Sequence, residues 1–338
     1  LVYFHGGAYA SGSSSNALYD GARLARRGDV VVVTLNHRLN AFGYLYLDRR
    51  LRRAELADSG NCGQLDLVLA LQWVRDNIAA FGGDPDCVMV FGQSGGGAKI
   101  ATLMAMPAAS GLFHRAATMS GQQVTASGPL NAAARTRALL DTLGLPSHRE
   151  EEILTLPAER LVEAMQATDP IIGKGRIYFG PVLDERSLTR HPFYPDAPSL
   201  SAHIPMMIGN TRGETRNRIG RNDTSVFNLR WEELPDRLAG EMRADLKPEL
   251  VVAEYRRLYP QYSASDVFFA ATTASRSWRG AVIELEARSR VAAETFAYQL
   301  DWPSPADGGK WGACHGLDIP LVFGTLDAPD SLTGSGAD

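Results

Sequence analysis

The residues with the clearest chemical potential are Gly92-Gln93-Ser94-Gly95-Gly96. They match G-x-S-x-G, preceded by the apolar, β-prone run Val88–Phe91 and followed by Gly95–Met106, which has helical spacing despite its glycines. That is the strand–turn–helix setting of a nucleophile elbow, where a sharp turn presents a serine hydroxyl at the carboxyl end of a sheet. The chemistry would be acyl transfer through Ser94. Gly92 to Lys99 also has the outline of a phosphate loop. That motif ends in Gly-Lys-Ser/Thr, whereas this segment ends Gly97-Ala98-Lys99-Ile100 and has no hydroxyl to serve a metal. Nucleotide binding is therefore the weaker reading.

A serine nucleophile needs donors for the oxyanion, a base and an acid. His5-Gly6-Gly7-Ala8 follows the first apolar run, Leu1–Phe4. A glycine loop of this kind, with the residue after the nucleophile, supplies backbone N–H groups to the developing negative charge. Gly6, Gly7 and Gly95 are the expected donors. In this arrangement the chain order is serine, acid, histidine. His315 is the last of the seven histidines and sits between Gly312 and Gly316, beyond the final strand-like run, which makes it the expected base. Two acids follow strand-like runs between Ser94 and His315: Asp184 after Ile177–Leu183, and Glu214 after Ile204–Ile208. Position alone leaves both open.

These groups must be held by a scaffold, and the first third of the chain describes one. Leu1–Phe4, Asp29–Leu35 with its four valines, Val88–Phe91 and Arg115–Met119 read as strands, the second as a buried parallel one. Leu18–Arg27, Leu65–Phe81 and Gly95–Met106 read as helices between them. The alternation predicts an α/β fold: a mostly parallel central sheet with helices on both faces. The middle of the chain reads mainly as helix, in Leu130–Leu143, Arg149–Leu154, Ala158–Ala167, Trp231–Tyr259 and Asp266–Ala293, with a last strand at Thr295–Trp302. Those helices are expected to roof a mainly apolar pocket. The tail Ser331–Asp338 is small and polar.

Composition narrows the partners. The chain has 338 residues, 45% of them hydrophobic, which excludes a disordered chain. Net charge is −4, so no basic field favours nucleic acid. The longest apolar runs, such as Val30–Val33 and Leu67–Leu71, are far short of a membrane span. Three cysteines without a C-x-x-C pair signal neither zinc nor a dithiol. No metal and no organic cofactor are expected. The expected partner is a small-molecule ester.

The sequence resembles the type-B carboxylesterase family, which shares its fold with the cholinesterases. The resemblance rests on Val2–Gly12, Asp29–Leu45, Gly60–Pro85, Val88–Gly97, Ile208–Glu214 and Cys314–Gly324, in that order. It implies an α/β-hydrolase fold with a helical insertion over the active site. It also implies a carboxylic-ester hydrolase with Ser94, Glu214 and His315 as triad, which selects Glu214 over Asp184. Gly6, Gly7 and Gly95 map to the oxyanion donors and Ser120 to a supporting group. Thioester, lactone or carbamate hydrolysis, or a non-catalytic binding protein on the same fold, are the alternatives. This chain departs from the family pattern at Gln93, where Glu is usual, at Gly95, where Ala is usual, and at Thr215, where Gly is usual. Residues 1–338 are expected to be one hydrolase domain clipped at both ends, since the chain starts at Leu1 inside a strand-like run.

Overall fold

The computed structural model describes residues 1–291 and 294–334. The end of the helix expected up to residue 293 and the last four residues of the tail lie outside the described residues. Six strands form one sheet: β1 (Val2–Phe4), β2 (Val33–Thr34), β3 (Met89–Gln93), β4 (Arg115–Met119), β5 (Met206–Thr211) and β6 (Thr295–Leu300). The order is β2-β1-β3-β4-β5-β6 and every pairing is parallel.

Parallel strands are stable when both faces are covered, and side chains alternate between faces. Val2, Phe4, Val90, Ala116, Met206 and Ile208 enter one core, with Leu67 and Leu71 of helix α1 (Cys62–Asn77) and Ile100 of helix α2 (Gly95–Leu103). Their neighbours Tyr3, Phe91, Ala117 and Met119 point the other way, onto Ile319 and Phe323 of the short helix Asp318–Phe323. Full burial of one such side chain contributes about 1.5–3 kcal/mol, so this two-sided core fixes the register of the strands.

Between β5 and β6 the chain builds a separate helical layer. Helices α3 (Leu234–Glu241), α4 (Pro248–Leu258) and α5 (Ala264–Thr273) share a core of Leu234, Leu238, Val252, Val267, Phe268 and Phe269. A capping box between Ser263 and Asp266 starts α5. A π-helical turn, Ala274–Trp278, then leads into α6 (Arg279–Ser289).

Two expected strands differ. The valine run forms only Val33–Thr34, and its residues are half-buried because β2 is an edge strand with a single neighbour. Ile177–Leu183 forms no strand. It makes an isolated bridge, Ser127 to Val182, and its other N–H groups find scattered partners, Ile177 on Ala167 O, Tyr178 on Asp169 Oδ2 and Val182 on Asn61 Oδ1.

Helix α2 forms despite Gly95, Gly96 and Gly97, each of which costs about 1 kcal/mol in a helix. Its packing requires them. A Cβ on Gly96 would lie 1.9 Å from the Phe4 carbonyl oxygen. The helix is buried along its whole length, which places Ser94 at the point where β1, β3 and α2 nearly touch.

Candidate active site

Ser94 follows the last residue of β3 and precedes the first of α2, with φ 56° and ψ −123°. A non-glycine residue there is strained, at a cost of about 1–3 kcal/mol, and needs surrounding contacts to hold it. They are present. Ser94 N–H donates to Met119 O at 2.7 Å, and Ala98 N–H to Ser94 O at 3.1 Å. Gly121 closes over the turn so tightly that a Cβ on it would be 1.9 Å from Ser94 O. The hydroxyl side faces a cavity of about 610 Å³.

Glu214 and His315 meet behind this cavity. Glu214 stands three residues past the end of β5 and is 2% exposed. Its Oε1 accepts Thr211 N–H at 2.7 Å, and its Oε2 pairs with His315 Nδ1. The two loops are joined by Gly213 N–H to Ala313 O at 2.8 Å, and by Asn217 Nδ2 to His315 O at 2.8 Å. Burial favours the neutral Glu214 carboxyl. The charge and hydrogen bond of His315, the nearby Ser120 hydroxyl and Thr211 N–H outweigh burial and hold the group below its ordinary range. Ser120 Oγ lowers it by proximity, because it makes no hydrogen bond of normal geometry. With Nδ1–H turned to Glu214, the ring presents Nε2 as a lone pair. Asp184 is elsewhere: it accepts N–H groups of Arg186, Ser187 and Leu188 and is bonded by Asn61 Nδ2 at 2.8 Å. It caps a turn.

His315 Nε2 does not reach Ser94 in this state. Gln93 Nε2 donates to it from 3.2 Å, and Ser94 Oγ has no hydrogen-bond partner among the described residues. Gln93 is buried and stands where the resemblance leads one to expect a carboxylate. An amide can donate to the imidazole lone pair, so it competes with the serine hydroxyl for the same atom.

The loop after β1 bends through Gly7 and Ala8, both at positive φ, 83° and 53°. Ala8 lines the Ser94 cavity, as does Gly95, whereas Gly6 and Gly7 are not among its lining residues. Gly6 nonetheless lies against the nucleophile, since a Cβ built on it would be 3.4 Å from Ser94 Cβ. Gly95 is the first residue of α2, so its N–H has no partner within the helix. The alanine usual at that position has no room here, since a Cβ on Gly95 would lie 2.2 Å from Ala8 O.

Three contributors escaped the sequence reading. Ala8 stood beside two glycines, and its positive φ leaves no mark in composition. Lys99 is fully buried on α2, and its Nζ donates to the His5 carbonyl at 2.9 Å, bracing the start of the same loop. Asp318 is 5% exposed, accepts the Tyr298 hydroxyl at 3.0 Å, and is raised to about 6 by burial and by the adjacent Glu214 charge. Its three-residue spacing from His315 was the available signal.

The helical layer does roof the cavity, but the lining is polar where an apolar one was expected. Gln122, Gln123 and Thr125 come from the loop after β4, and Arg218, Arg276 and Ser277 from the roof. A buried ion pair supports the rim: Arg135 Nε meets Asp169 Oδ2 at 2.7 Å, and Asp169 also accepts N–H groups of Ile171, Ile172 and Tyr178. Among the described residues no group of three or more His, Cys, Asp or Glu is placed to hold a metal ion, and no helix is long and apolar enough to cross a membrane.

The sequence model of the Carboxylesterase family matches residues 1–333. The chain is 38% identical to para-nitrobenzyl esterase of Bacillus subtilis over 98% of its length, covering 65% of that protein. It is 32% identical to phenmedipham hydrolase of Pseudarthrobacter oxydans over 97% of its length, covering 63% of that protein. It thus spans just under two thirds of these curated relatives. A solved carboxylesterase of Geobacillus stearothermophilus superposes with a TM-score of 0.82 at 36% identity, over 99% of this chain and 68% of that one. The all-parallel sheet with flanking helices is that of the α/β-hydrolases. The chain belongs to the carboxylesterase family.

Proposed function

We propose that the protein is a serine hydrolase that cleaves carboxylic esters through an acyl-enzyme, with this chain as a single hydrolase domain. The observation that carries the reading is the pairing of buried Glu214 with half-buried His315 beside a cavity into which a strained Ser94 projects. Substrate entry displaces the Gln93 amide from His315 Nε2. Ser94 Oγ then attacks the ester carbonyl and gives its proton to Nε2. The oxyanion is met by the N–H groups of Gly7, Ala8 and Gly95. Gly6, at the head of the same loop, stays in the donor set beside them. The C–O bond to the alcohol breaks as Nε2 returns the proton to it. Water repeats the cycle on the acyl-enzyme and releases the acid. Glu214 keeps the proton on Nδ1 and stabilises the imidazolium.

The test is Ser94→Ala in the full-length protein, assayed on 4-nitrophenyl butyrate. A loss in kcat of roughly 10⁴-fold or more is expected, with the urea-unfolding midpoint unchanged. Near wild-type turnover refutes the assignment. The hydrogen bond of His315 Nε2 to Gln93 in place of Ser94 favours one rival, a binding protein with an idle triad. A fluorophosphonate probe separates them: an esterase is labelled at Ser94, a binding protein is not.

A further inference from the structure

The Ser94 cavity carries more positive charge than ester hydrolysis needs. Arg218 comes from the short helix Thr215–Gly220, Arg243 from the segment after α3, and Arg276 from the π-helical turn. All three line the cavity with Ser94 and Ser120. They belong to separate elements, so helical spacing does not explain their convergence. A guanidinium cannot shed its charge at neutral pH. The groups are near enough to oppose one another: beyond the effect of burial, Arg243 disfavours the charge on both Arg218 and Arg276.

Little offsets this repulsion. Arg276 is bonded to Glu241. Arg218 senses the Glu214 charge, but both oxygens of that carboxylate are already engaged, by Thr211 N–H and His315. Among the described residues neither the Arg218 nor the Arg243 side chain has an ion pair or hydrogen bond. Arg135, at the same cavity, shows the contrast: its partner Asp169 is fully buried with it. Arg218 is open to solvent yet closely surrounded by protein, as befits a group facing into a concavity. Two unpartnered forked donors beside a nucleophile form a receptor for a planar anion.

We infer that the ester substrate carries a carboxylate, received by Arg218 and Arg243 while Ser94 attacks the ester carbonyl. The inference rests on the ester-hydrolase reading and narrows its substrate class. It is tested by steady-state kinetics of the full-length protein on three esters. These are neutral 4-nitrophenyl butyrate, 4-nitrophenyl hydrogen glutarate with the anion on the acyl side, and 4-acetoxybenzoate with the anion on the alcohol side. The readout is the kcat/KM ratio of charged to neutral ester, in wild type, Arg218→Gln, Arg243→Gln, the double variant and the two Lys variants. For one charged ester the ratio is expected to fall roughly tenfold or more per Gln substitution, mainly through KM, and to be partly restored by Lys. In wild type it falls as salt is raised. A ratio that the double Gln variant leaves unchanged for both charged esters, with the neutral ester still turned over, overturns the inference and spares the esterase reading. If no ester is turned over, the esterase reading falls, and titration calorimetry with glutarate decides the anion site. Binding that the double variant loses supports it, and no binding to wild type overturns it.

Discussion

Lys99 is a buried ammonium whose cost to the fold follows from its surroundings. It lies on α2 with no exposed surface, its Nζ donating to His5 O at 2.9 Å, and 5.9 Å from the centre of the Tyr9 ring. Among the described residues no carboxylate pairs with it. Burial lowers its pKa from 10.5 to about 7. The unfolded chain therefore holds the lysine proton up to about pH 10, while the folded protein releases it from about pH 7. Between these values the unfolded state binds more protons, so stability rises with pH. The integral over pH 7–9 is about 2 kcal/mol. Neighbouring groups do not blur this window. His37, stacked on His5, is held near 3, and His5 is also lowered by burial, so both stay neutral. Tyr9 is raised and stays neutral too. At pH 7 the depressed pKa corresponds to a cost of about 4 kcal/mol, against about 1–3 kcal/mol for leaving the His5 carbonyl without its donor. Lys99→Met is thus expected to be the more stable protein at pH 7. The gap closes by about 2 kcal/mol at pH 9. Urea unfolding of both proteins at the two pH values measures this. Parallel pH dependence would refute the account of a dehydrated ammonium.

Other expectations follow from the same geometry. Glu214→Gln should lower kcat roughly 10²–10⁴-fold, while Asp184→Asn should leave kcat unchanged and cost about 1–3 kcal/mol of stability by weakening its turn; the two rate constants decide which acid serves His315. The folded-state pKa of Asp318 is raised to about 6, so the folded protein binds its proton more tightly than the unfolded chain and loses stability as pH rises from about 4 to 6. Asp318→Asn should remove that slope and be up to about 3 kcal/mol more stable at pH 8 in thermal unfolding. Gly96→Ala drives a Cβ onto the Phe4 carbonyl and should cost about 3 kcal/mol or more, read as lost soluble yield or a lowered urea midpoint.

The legible parts of this molecule were the locally encoded ones. The elbow at Ser94 announces itself because strand, turn glycines and helix are contiguous. The choice between Asp184 and Glu214 was not local. Both follow apolar runs, and only the parallel pairing of β5 between β4 and β6 brings Glu214 to the His315 loop. Ile177–Leu183 has strand-like residues but no sheet neighbour, so its backbone is satisfied by Asn61 and Ser127 instead. The valine run reads as a longer, buried strand because apolar content cannot distinguish a central strand from an edge. The polarity of the cavity was hidden for a further reason. Arg218, Arg243 and Arg276 are scattered over three elements, and an isolated arginine in a sequence is ordinarily a solvated one.

The close approach of backbone at Gly92, Gly96 and Gly121 bears on how this site can be reshaped. Each has main-chain atoms where a first side-chain carbon would go, at 2.6 Å or less. Randomising these positions in a library would return almost nothing but the parental residue. The opposite wall, from Gln122 to Thr125 with Arg218, Arg243 and Arg276, is made of side chains rather than close-packed main chain. Selection for new substrates therefore has a rigid half on which variation is lethal and a permissive half on which it is productive. The boundary between them runs through Ser94 itself.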